Sequence, residues 1–445
     1  MDAAQYITEN NIKFIKIGIF DLHGIIRGKV LSQAKFLKCL EHGMGFCDVI
    51  IGSDSDDQLI DNMKFTGWHT AYPDAELRII PESMRILPWE PDSAFFLCEF
   101  APKHDQVCSR AQLRKACDKA AAMGFNVVGS MEFEFSVFQE TPDSLYEKGF
   151  KQLTPLTPGN FGYSVLRSSQ THDLYDDLLT QLSGADIDIE CLHTEIGPGV
   201  LEAAITYGDI TKAADNAALF KLFTKVILHQ NLLTPTFMAK YNTIQQGHSG
   251  HIHMSLRDQK NKPVFYDDTQ PHNMSKLMQH FVAGQQALMP ELLSLSAPNI
   301  NSFARLVPGH WAPTSATWGV DNRTTALRVV PGSASSQRVE YRIPGADASP
   351  HLAMAAALAS GLYGIENKLE LDQPMVGNAY TQDYDKFILP KNLTEASSAL
   401  RQSTYAQDLW GADFVDNYCA LKEWEARQYQ MAVTDWQLKR YFEII

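Results

Sequence analysis

Residues 130–138 decide the fold, and they read SMEFEFSVF. Charged and aromatic residues alternate strictly in this stretch, and a period of two places alternate side chains on opposite faces of a β-strand. Glu132 and Glu134 therefore share one face, and Phe133 and Phe135 share the other. The pattern predicts a strand with an apolar underside and an upper face that carries two like charges.

Two further segments, residues 250–256 and 338–343, alternate in the same way, and residues 201–207 predict a fourth strand; each carries Glu, His or Arg on one face. These residues are His251 and His253 in segment 250–256, Arg338, Glu340 and Arg342 in segment 338–343, and Glu202 in segment 201–207, with Glu195 in the preceding Gly-Pro-Gly loop. Each strand taken alone also fits the solvated face of an antiparallel sheet. Lysine is absent from all four faces, however, and a bound cation is the simplest compensation for neighbouring carboxylates.

If the four faces converge, they bring together five carboxylates and one imidazole. These are Glu132, Glu134, Glu195, Glu202, Glu340 and His251. Oxygen-dominated ligand sets suit Mg²⁺ or Mn²⁺ and suit structural zinc poorly. Six ligands are too many for one ion that also keeps water and substrate, so we expect two ions.

Arginines supply the second half of the predicted site. Arg305, Arg323, Arg328, Arg338 and Arg342 follow one another closely. Guanidinium groups bind phosphate and carboxylate through paired hydrogen bonds. Metal-binding carboxylates beside arginines predict metal-assisted phosphoryl transfer, and a di-metal hydrolase is a weaker alternative. The sequence has neither a P-loop nor a Rossmann glycine motif.

The length, composition and net charge of the chain favour some classes of protein over others. A chain of 445 residues with 45% apolar and 20% charged residues predicts a soluble globular enzyme with one large and one smaller domain. The net charge of −14 disfavours a nucleic-acid partner. No apolar run reaches the roughly 20 residues that span a bilayer. Seven scattered cysteines and a first segment unlike a signal peptide predict a cytoplasmic protein with free thiols.

Local signals predict the main elements. Residues 14–20 and 28–31 predict a hairpin around the turn at residues 21–24. Ser109 is expected to cap a helix that ends at Gly124. Longer helices are predicted at residues 210–230, 274–295, 350–369 and 414–432.

Seven ordered motifs resemble those of the glutamine synthetase family, and the resemblance covers nearly the whole chain. The motifs are MEFEF, EIGPGVLE, GHSGHIHMSL, NSFARLVPG, NRTTALRVVP, RVEYRIPGADASP and HLAMAAALASGLYGIE. The resemblance implies an α+β protein with an N-terminal β-grasp domain at residues 1–103. A catalytic domain at residues 104–445 would carry a curved antiparallel sheet flanked by helices. It also implies a dodecamer of two hexameric rings, with active sites between neighbouring subunits.

The resemblance also implies roles for individual residues. Glu134, Glu195 and Glu202 would hold the first metal ion, and Glu132, His251 and Glu340 the second. His253, Arg323 and Arg328 would contact ATP, while Gly247, Arg305 and Arg342 would bind glutamate. Arg323, Arg305 and Glu340 would be the catalytic residues, and the cofactors would be ATP and two or three Mg²⁺ or Mn²⁺ ions. The γ-carboxylate of glutamate would attack ATP, and an uncharged amine would then displace phosphate from the acyl phosphate.

Two departures from the family pattern bear on the amine. Ammonia-using members carry an aspartate in a Phe-Asp-Gly-Ser-Ser segment and a flap glutamate in Gly-Tyr-Glu-Ala-Pro. The corresponding stretches here are GFCDVI at residues 45–50 and GHWAP at residues 309–313, so that Trp311 replaces the flap glutamate. An indole removes a base and adds an apolar, cation-attracting surface.

The departures predict an alkylamine or polyamine substrate, as in the γ-glutamylpolyamine and glutamate–putrescine ligases that the chain resembles. Trp311 would then line the substrate site, and His310 or Asp48 could supply the base. A true glutamine synthetase that uses ammonia is the alternative. A non-catalytic relative is disfavoured because none of the metal ligands or arginines is lost.

Overall fold

The structure, a computed structural model that describes residues 2–445, is built on two β-sheets. The first sheet has the order β2-β1-β6-β4-β3, with β5 on β6; only β1 and β6 pair in parallel. Its strands are β1 (Phe14–Phe20), β2 (Ile26–Ser32), β3 (Met44–Cys47), β4 (Asp74–Ile79), β5 (Arg85–Ile86) and β6 (Ser93–Phe100). The antiparallel pairing of β1 and β2 confirms the predicted hairpin.

The second sheet contains all four strands that were predicted to carry a charged face. Its order is β13-β14-β15-β12-β7-β9-β8, with β10 and β11 also on β7, and only β13 and β14 are parallel. Its strands are β7 (Phe125–Phe138), β8 (Ile189–Thr194), β9 (Val200–Ile205), β10 (Gly208–Asp209), β11 (Thr234–Thr236), β12 (Gly250–Asp258), β13 (Trp318–Val320), β14 (Leu327–Val330) and β15 (Arg338–Tyr341).

Within the described part of the chain, fourteen α-helices accompany the two sheets, and the last five, α10 to α14, follow the final strand. They are α1 (Ala3–Glu9), α2 (Gln33–His42), α3 (Ser109–Ala122), α4 (Pro142–Glu147), α5 (Val165–Gln170), α6 (His172–Gly184), α7 (Ile210–Gln230), α8 (Lys276–Ser296), α9 (Ile300–Arg305), α10 (Pro350–Glu366), α11 (Leu393–Gln402), α12 (Thr404–Trp410), α13 (Ala412–Met431) and α14 (Asp435–Tyr441). Among residues 2–445, no helix is both long and apolar enough to cross a membrane.

The long helices α7, α8, α10 and α13 lie where the sequence predicted them, with ends that differ by at most three residues. The predicted cap at Ser109 is wrong. Cys108 occupies the N-cap position, while the Ser109 hydroxyl donates to the carbonyl of Asp21 at 3.1 Å. Ser109 therefore ties α3 to the β1–β2 turn. Gly124 follows the helix with φ +88°, the left-handed conformation that glycine adopts without strain.

The apolar underside of β7 anchors the strand on α7. Phe133 stacks on Phe220 of α7 with ring centroids 5.9 Å apart, and Phe135 stacks on Phe237 at 5.0 Å. All four rings are buried. Burial of a phenylalanine side chain contributes about 1.5–3 kcal/mol, so this cluster holds the charged upper face in a defined position.

Helices α8 and α10 approach each other backbone to backbone. A Cβ on Gly284 would lie 2.2 Å from the carbonyl oxygen of Ser360, and one on Gly364 would lie 2.0 Å from that of His280. Neither neighbour is a flexible side chain that could move aside. The crossing therefore requires glycine on both helices.

We expect Gly284→Ala to destabilise the protein by about 1–3 kcal/mol, because the added methyl group forces the two helices apart. Gly208→Ala is the matched control, since its Cβ would have no heavy atom within 4 Å and its φ is not positive. Thermal denaturation of both variants checks this. Equal melting temperatures for the two variants would contradict the prediction.

Candidate active site

The charged faces form one continuous row across the second sheet. Strand register places the predicted residues opposite one another in the neighbouring pairs Glu134–Glu202, Glu132–His251, His253–Glu340 and Arg328–Glu340. Opposite residues on adjacent strands lie close enough for their side chains to interact. Residues far apart in the sequence thus meet because of sheet pairing.

This row lines a cavity of about 530 Å³. Its lining includes all six predicted metal ligands, together with Gly247, Arg305, Trp311, Arg323, Arg328 and Arg342. His253 lines an adjoining cavity of about 280 Å³, to which Glu132 also contributes. The structure therefore brings these predicted residues together, while the ligand of each residue stays a prediction.

Glu132, His251 and Glu340 form a cluster that could hold one cation. One ligand atom of each lies within 4.8 Å of the others, and His251 Nδ1 is 3.2 Å from Glu340. Burial, followed by the charge of Arg342, lowers the pKa of His251 well below its usual value, so the imidazole is neutral, the form that binds metal. Its Nε2 is buried without a hydrogen-bond partner among the described residues, which fits a missing ligand.

A second cluster joins Glu195 and Glu202 to His193, a residue that the sequence analysis missed. His193 lies opposite Glu202 on β8, and its Nε2 is 3.7 Å from that carboxylate. Its Nδ1 lies 3.1 Å from the carbonyl of Thr194, which leaves Nε2 free to bind a cation when Nδ1 donates. The spacing His193-x-Glu195 at the end of a strand was the available signal.

Glu134 lies beside this second cluster, opposite Glu202 on the neighbouring strand. Its carboxylate accepts a hydrogen bond from the backbone N–H of Ser249 at 2.8 Å. Burial raises the pKa of Glu134, and burial followed by repulsion from Glu134 and Glu132 raises the pKa of Glu202. The carboxylates cannot all be ionised at low cost without a cation, so the donor set fits Mg²⁺ or Mn²⁺.

The Glu340 carboxylate is kept ionised by positive neighbours. Burial would raise the pKa of Glu340, but the positive charge of Arg342 outweighs burial and brings it to about 2. Arg342 contacts this carboxylate directly, and Arg328 donates to it at 2.8 Å. Glu340 therefore links the cationic and the metal-binding parts of the site.

Arg305 and Arg342 are buried guanidinium groups at the wall of the cavity. Arg305 donates to the carbonyl of Ile343 at 3.0 Å, and burial lowers its pKa to about 10, so it stays cationic at neutral pH. A Cβ on Gly247 would lie 2.6 Å from Arg305 Cγ, so glycine is needed for this packing. Buried cations in a cavity suit a substrate carboxylate.

Asp48 and His310, the two residues predicted as a possible base, are each hydrogen-bonded to another side chain of the protein. Asp48 is buried in the N-terminal unit, where the Thr66 hydroxyl donates to it at 2.6 Å. His310 lines the cavity, but Lys240 Nζ lies 3.3 Å from its Nδ1. If the lysine ammonium donates to Nδ1, the neutral ring carries its proton on Nε2 and offers a donor to the cavity.

The amino-acid sequence of this chain is similar to those of several known proteins. Residues 106–441 match the profile described as the catalytic domain of glutamine synthetase. Type-1 glutamine synthetase 2 of Dictyostelium discoideum is 44% identical, over 99% of this chain and 87% of that protein. Glutamate–isopropylamine ligase of a Pseudomonas species is 36% identical, over 100% of this chain and 98% of the relative.

Gamma-glutamylethanolamide synthetase of Streptomyces coelicolor is 35% identical, over 98% of this chain and 94% of the relative. A solved structure of GmaS in complex with ADP superposes with a TM-score of 0.86 at 24% identity, over 99% of each chain. This structural likeness confirms the predicted α+β fold class.

We expect wild-type protein to bind two Mn²⁺ ions, and the variants Glu340→Gln and Glu195→Gln to lose one each, because an amide replaces an anionic ligand. Electron paramagnetic resonance of free Mn²⁺ during titration counts the bound ions. Glu41→Gln, on the exposed surface of α2, is the control. Unchanged stoichiometry in both site variants would contradict the assignment of the two clusters.

We expect the affinity for Mn²⁺ to rise with pH between about pH 6 and pH 8, by up to about tenfold per unit for each proton released. The sign follows from the raised pKa values of Glu202 and Glu134, which bind protons that a cation displaces. Calorimetric titration in two buffers of different ionisation enthalpy measures the released protons. A pH-independent affinity would contradict this.

Proposed function

The chain belongs to the glutamine synthetase family, and we propose that it is an ATP-dependent ligase that joins the γ-carboxylate of glutamate to an alkylamine or polyamine. The observation that carries this proposal is Trp311, which lines the cavity where ammonia-using members have a flap glutamate. The names of the Pseudomonas and Streptomyces relatives, which specify isopropylamine and ethanolamide, support an amine larger than ammonia. ADP and phosphate are the other products.

The roles of the residues follow the geometry of the cavity. Arg305 and Arg342 would orient the glutamate carboxylates beside Gly247. Divalent ions, two or three in number, would neutralise phosphate charge from the two carboxylate clusters. Arg323 and Arg328 would bind the phosphates, with Arg323 facing the group in transfer. His253, beside Glu132 in the adjoining cavity, would contact the nucleotide.

The reaction would run in two steps. The γ-carboxylate of glutamate attacks the terminal phosphorus of ATP and ADP leaves, giving an acyl phosphate. The nitrogen of an uncharged amine then attacks the acyl carbon, the carbon–oxygen bond to phosphate breaks, and the proton that the amine loses passes to the departing phosphate or to solvent. Water must be excluded from the acyl phosphate until the amine arrives.

Trp311 suits an amine with methylene groups. Its side chain is 47% exposed beside Arg323 and Tyr163 in the lining of the cavity, and it carries no proton-accepting group. An indole buries methylene groups and attracts a distal ammonium, whereas free ammonium needs an acidic partner. A polyamine would use both properties.

A glutamine synthetase that uses ammonia is the second candidate, and the name of the Dictyostelium relative favours it. In that case Trp311 would only pack the flap. The two candidates differ in one measurable quantity, which is the relative rate with ammonia and with larger amines.

We also propose that the chain assembles into a dodecamer of two hexameric rings, as the sequence resemblance implies. Large apolar side chains in and after α14, such as Trp436, Phe442 and Ile444, are exposed, which supports burial against another copy. All seven cysteines are free thiols, which supports the cytoplasm as its location. The division into domains at residue 103 stays part of this proposal.

We expect phosphate release that depends on both glutamate and ATP to be faster with at least one of methylamine, ethanolamine, putrescine or spermidine than with ammonia. The reason is the loss of acidic groups for ammonium and the gain of an indole. Product identification by mass spectrometry checks that a γ-glutamylamide forms. Ammonia exceeding every amine in kcat/KM would establish the second candidate instead.

We expect Trp311→Glu to shift the ratio of ammonia to amine activity toward ammonia by roughly 5- to 30-fold, the size of a lost cation–π contact plus a gained base. Trp311→Phe is the conservative control and should keep the wild-type preference within about threefold. An unchanged ratio in Trp311→Glu would remove the argument from the flap.

A further inference from the structure

The flap segment, residues 308–314, is attached to the rest of the protein by side chains. Among the described residues, its backbone bonds only within its own turn at residues 308–311, and no backbone group of another element bonds to it. Three contacts hold it: Lys240 to His310, Arg342 to the carbonyl of Trp311, and Tyr380 to the carbonyl of Ala312. Its position over the cavity therefore depends on a few specific groups.

The contact from Tyr380 is the shortest of the three. Its hydroxyl donates to the Ala312 carbonyl at 3.1 Å, whereas Lys240 is 3.3 Å from His310 and Arg342 is 3.5 Å from Trp311. Arg342 is also a predicted glutamate ligand. Ala312 is buried, so loss of the hydroxyl would leave a buried carbonyl without its partner.

Tyr380 is itself anchored to a second part of the site. Asn322 donates to the carbonyls of Met375 and Gly377 at 3.1 and 2.8 Å, and the N–H of Ala379 donates to the Thr324 hydroxyl at 3.0 Å. The turn that carries Asn322 and Thr324 also carries Arg323, which lines the cavity. Tyr380 thus connects the flap to the arginine predicted to face the phosphoryl group.

We propose that Tyr380 is a positioning residue that holds the flap segment closed over the acyl phosphate and in register with Arg323. This inference rests on the proposed function for its chemical consequence. With the flap held, the amine attacks the acyl carbon and phosphate leaves. With the flap released, water attacks the same carbon and gives glutamate and phosphate, so that ATP is hydrolysed without amide formation.

The segment that carries Tyr380 also offers a matched control. The Tyr384 hydroxyl lies in the same connection and is hydrogen-bonded to Asp372 at 3.2 Å and to Gln286 at 3.1 Å, neither of which belongs to the flap segment. Tyr380→Phe and Tyr384→Phe remove the same atom from neighbouring tyrosines. Any difference between them reports on the contact with Ala312.

The first measurement is hydrogen–deuterium exchange of the ligand-free protein. In Tyr380→Phe, peptides covering the flap segment should exchange roughly 3- to 10-fold faster than in wild type, the effect expected from one lost hydrogen bond. In Tyr384→Phe they should exchange as in wild type. Equal exchange in all three proteins would overturn the proposal, and this test does not depend on the reaction catalysed.

The second measurement is the ratio of phosphate released to γ-glutamylamide formed, with the best amine of the panel above. Tyr380→Phe should raise this ratio by the same roughly 3- to 10-fold as the exchange rate. Tyr384→Phe should leave the ratio at the wild-type value. Faster exchange with an unchanged ratio would overturn the role in excluding water. Wild-type protein that forms no amide with any amine would refute the proposed function, while the exchange measurement would still test the flap contact.

Discussion

Repulsion between carboxylates on one sheet face is the constraint on which the site depends. Glu132 and Glu134 lie two residues apart on β7, and Glu202 lies opposite Glu134 on β9. These groups are largely removed from water, which strengthens their mutual repulsion. The sheet tolerates them because its other face is a buried aromatic cluster with α7, which supplies the stabilisation that the charged face lacks. A cation bound in the cavity would reduce the electrostatic repulsion between these carboxylates.

Positive groups divide this crowded face into two regions. Near Glu340, Arg342 and Arg328 keep the carboxylate ionised, and this region faces the arginines that suit phosphate and substrate carboxylates. Near Glu202, His193 Nε2 lies 3.7 Å from the carboxylate, and burial followed by repulsion from Glu134 and Glu132 raises the pKa of Glu202, so that it holds a proton until a cation replaces it. One half of the site is therefore preorganised for anions and the other for cations, as a metal-assisted phosphoryl transfer requires.

The flap segment, residues 308–314, carries Trp311, the residue proposed to select the amine, beside this charged cavity. Trp311 adopts φ +57°, a left-handed conformation that costs a bulky residue energy and is held by contacts on either side of it. Those contacts come from Lys240, Arg342 and Tyr380, which belong to three separate parts of the chain. The proposals on the choice of amine and on the exclusion of water thus both concern this one short segment.

The sequence by itself determined the strands, their charged faces and the long helices, because alternation and helical periodicity are local properties that one strand or helix expresses alone. It also predicted most of the carboxylates and arginines that line the cavity. The tertiary structure decided which residues meet across strands, and so added His193 to the carboxylates. It placed Asp48 inside a core and turned Ser109 from a helix cap into a tie to Asp21. It also joined Tyr380 to Ala312, because contacts between residues distant in the chain depend on register and packing, which no local pattern encodes.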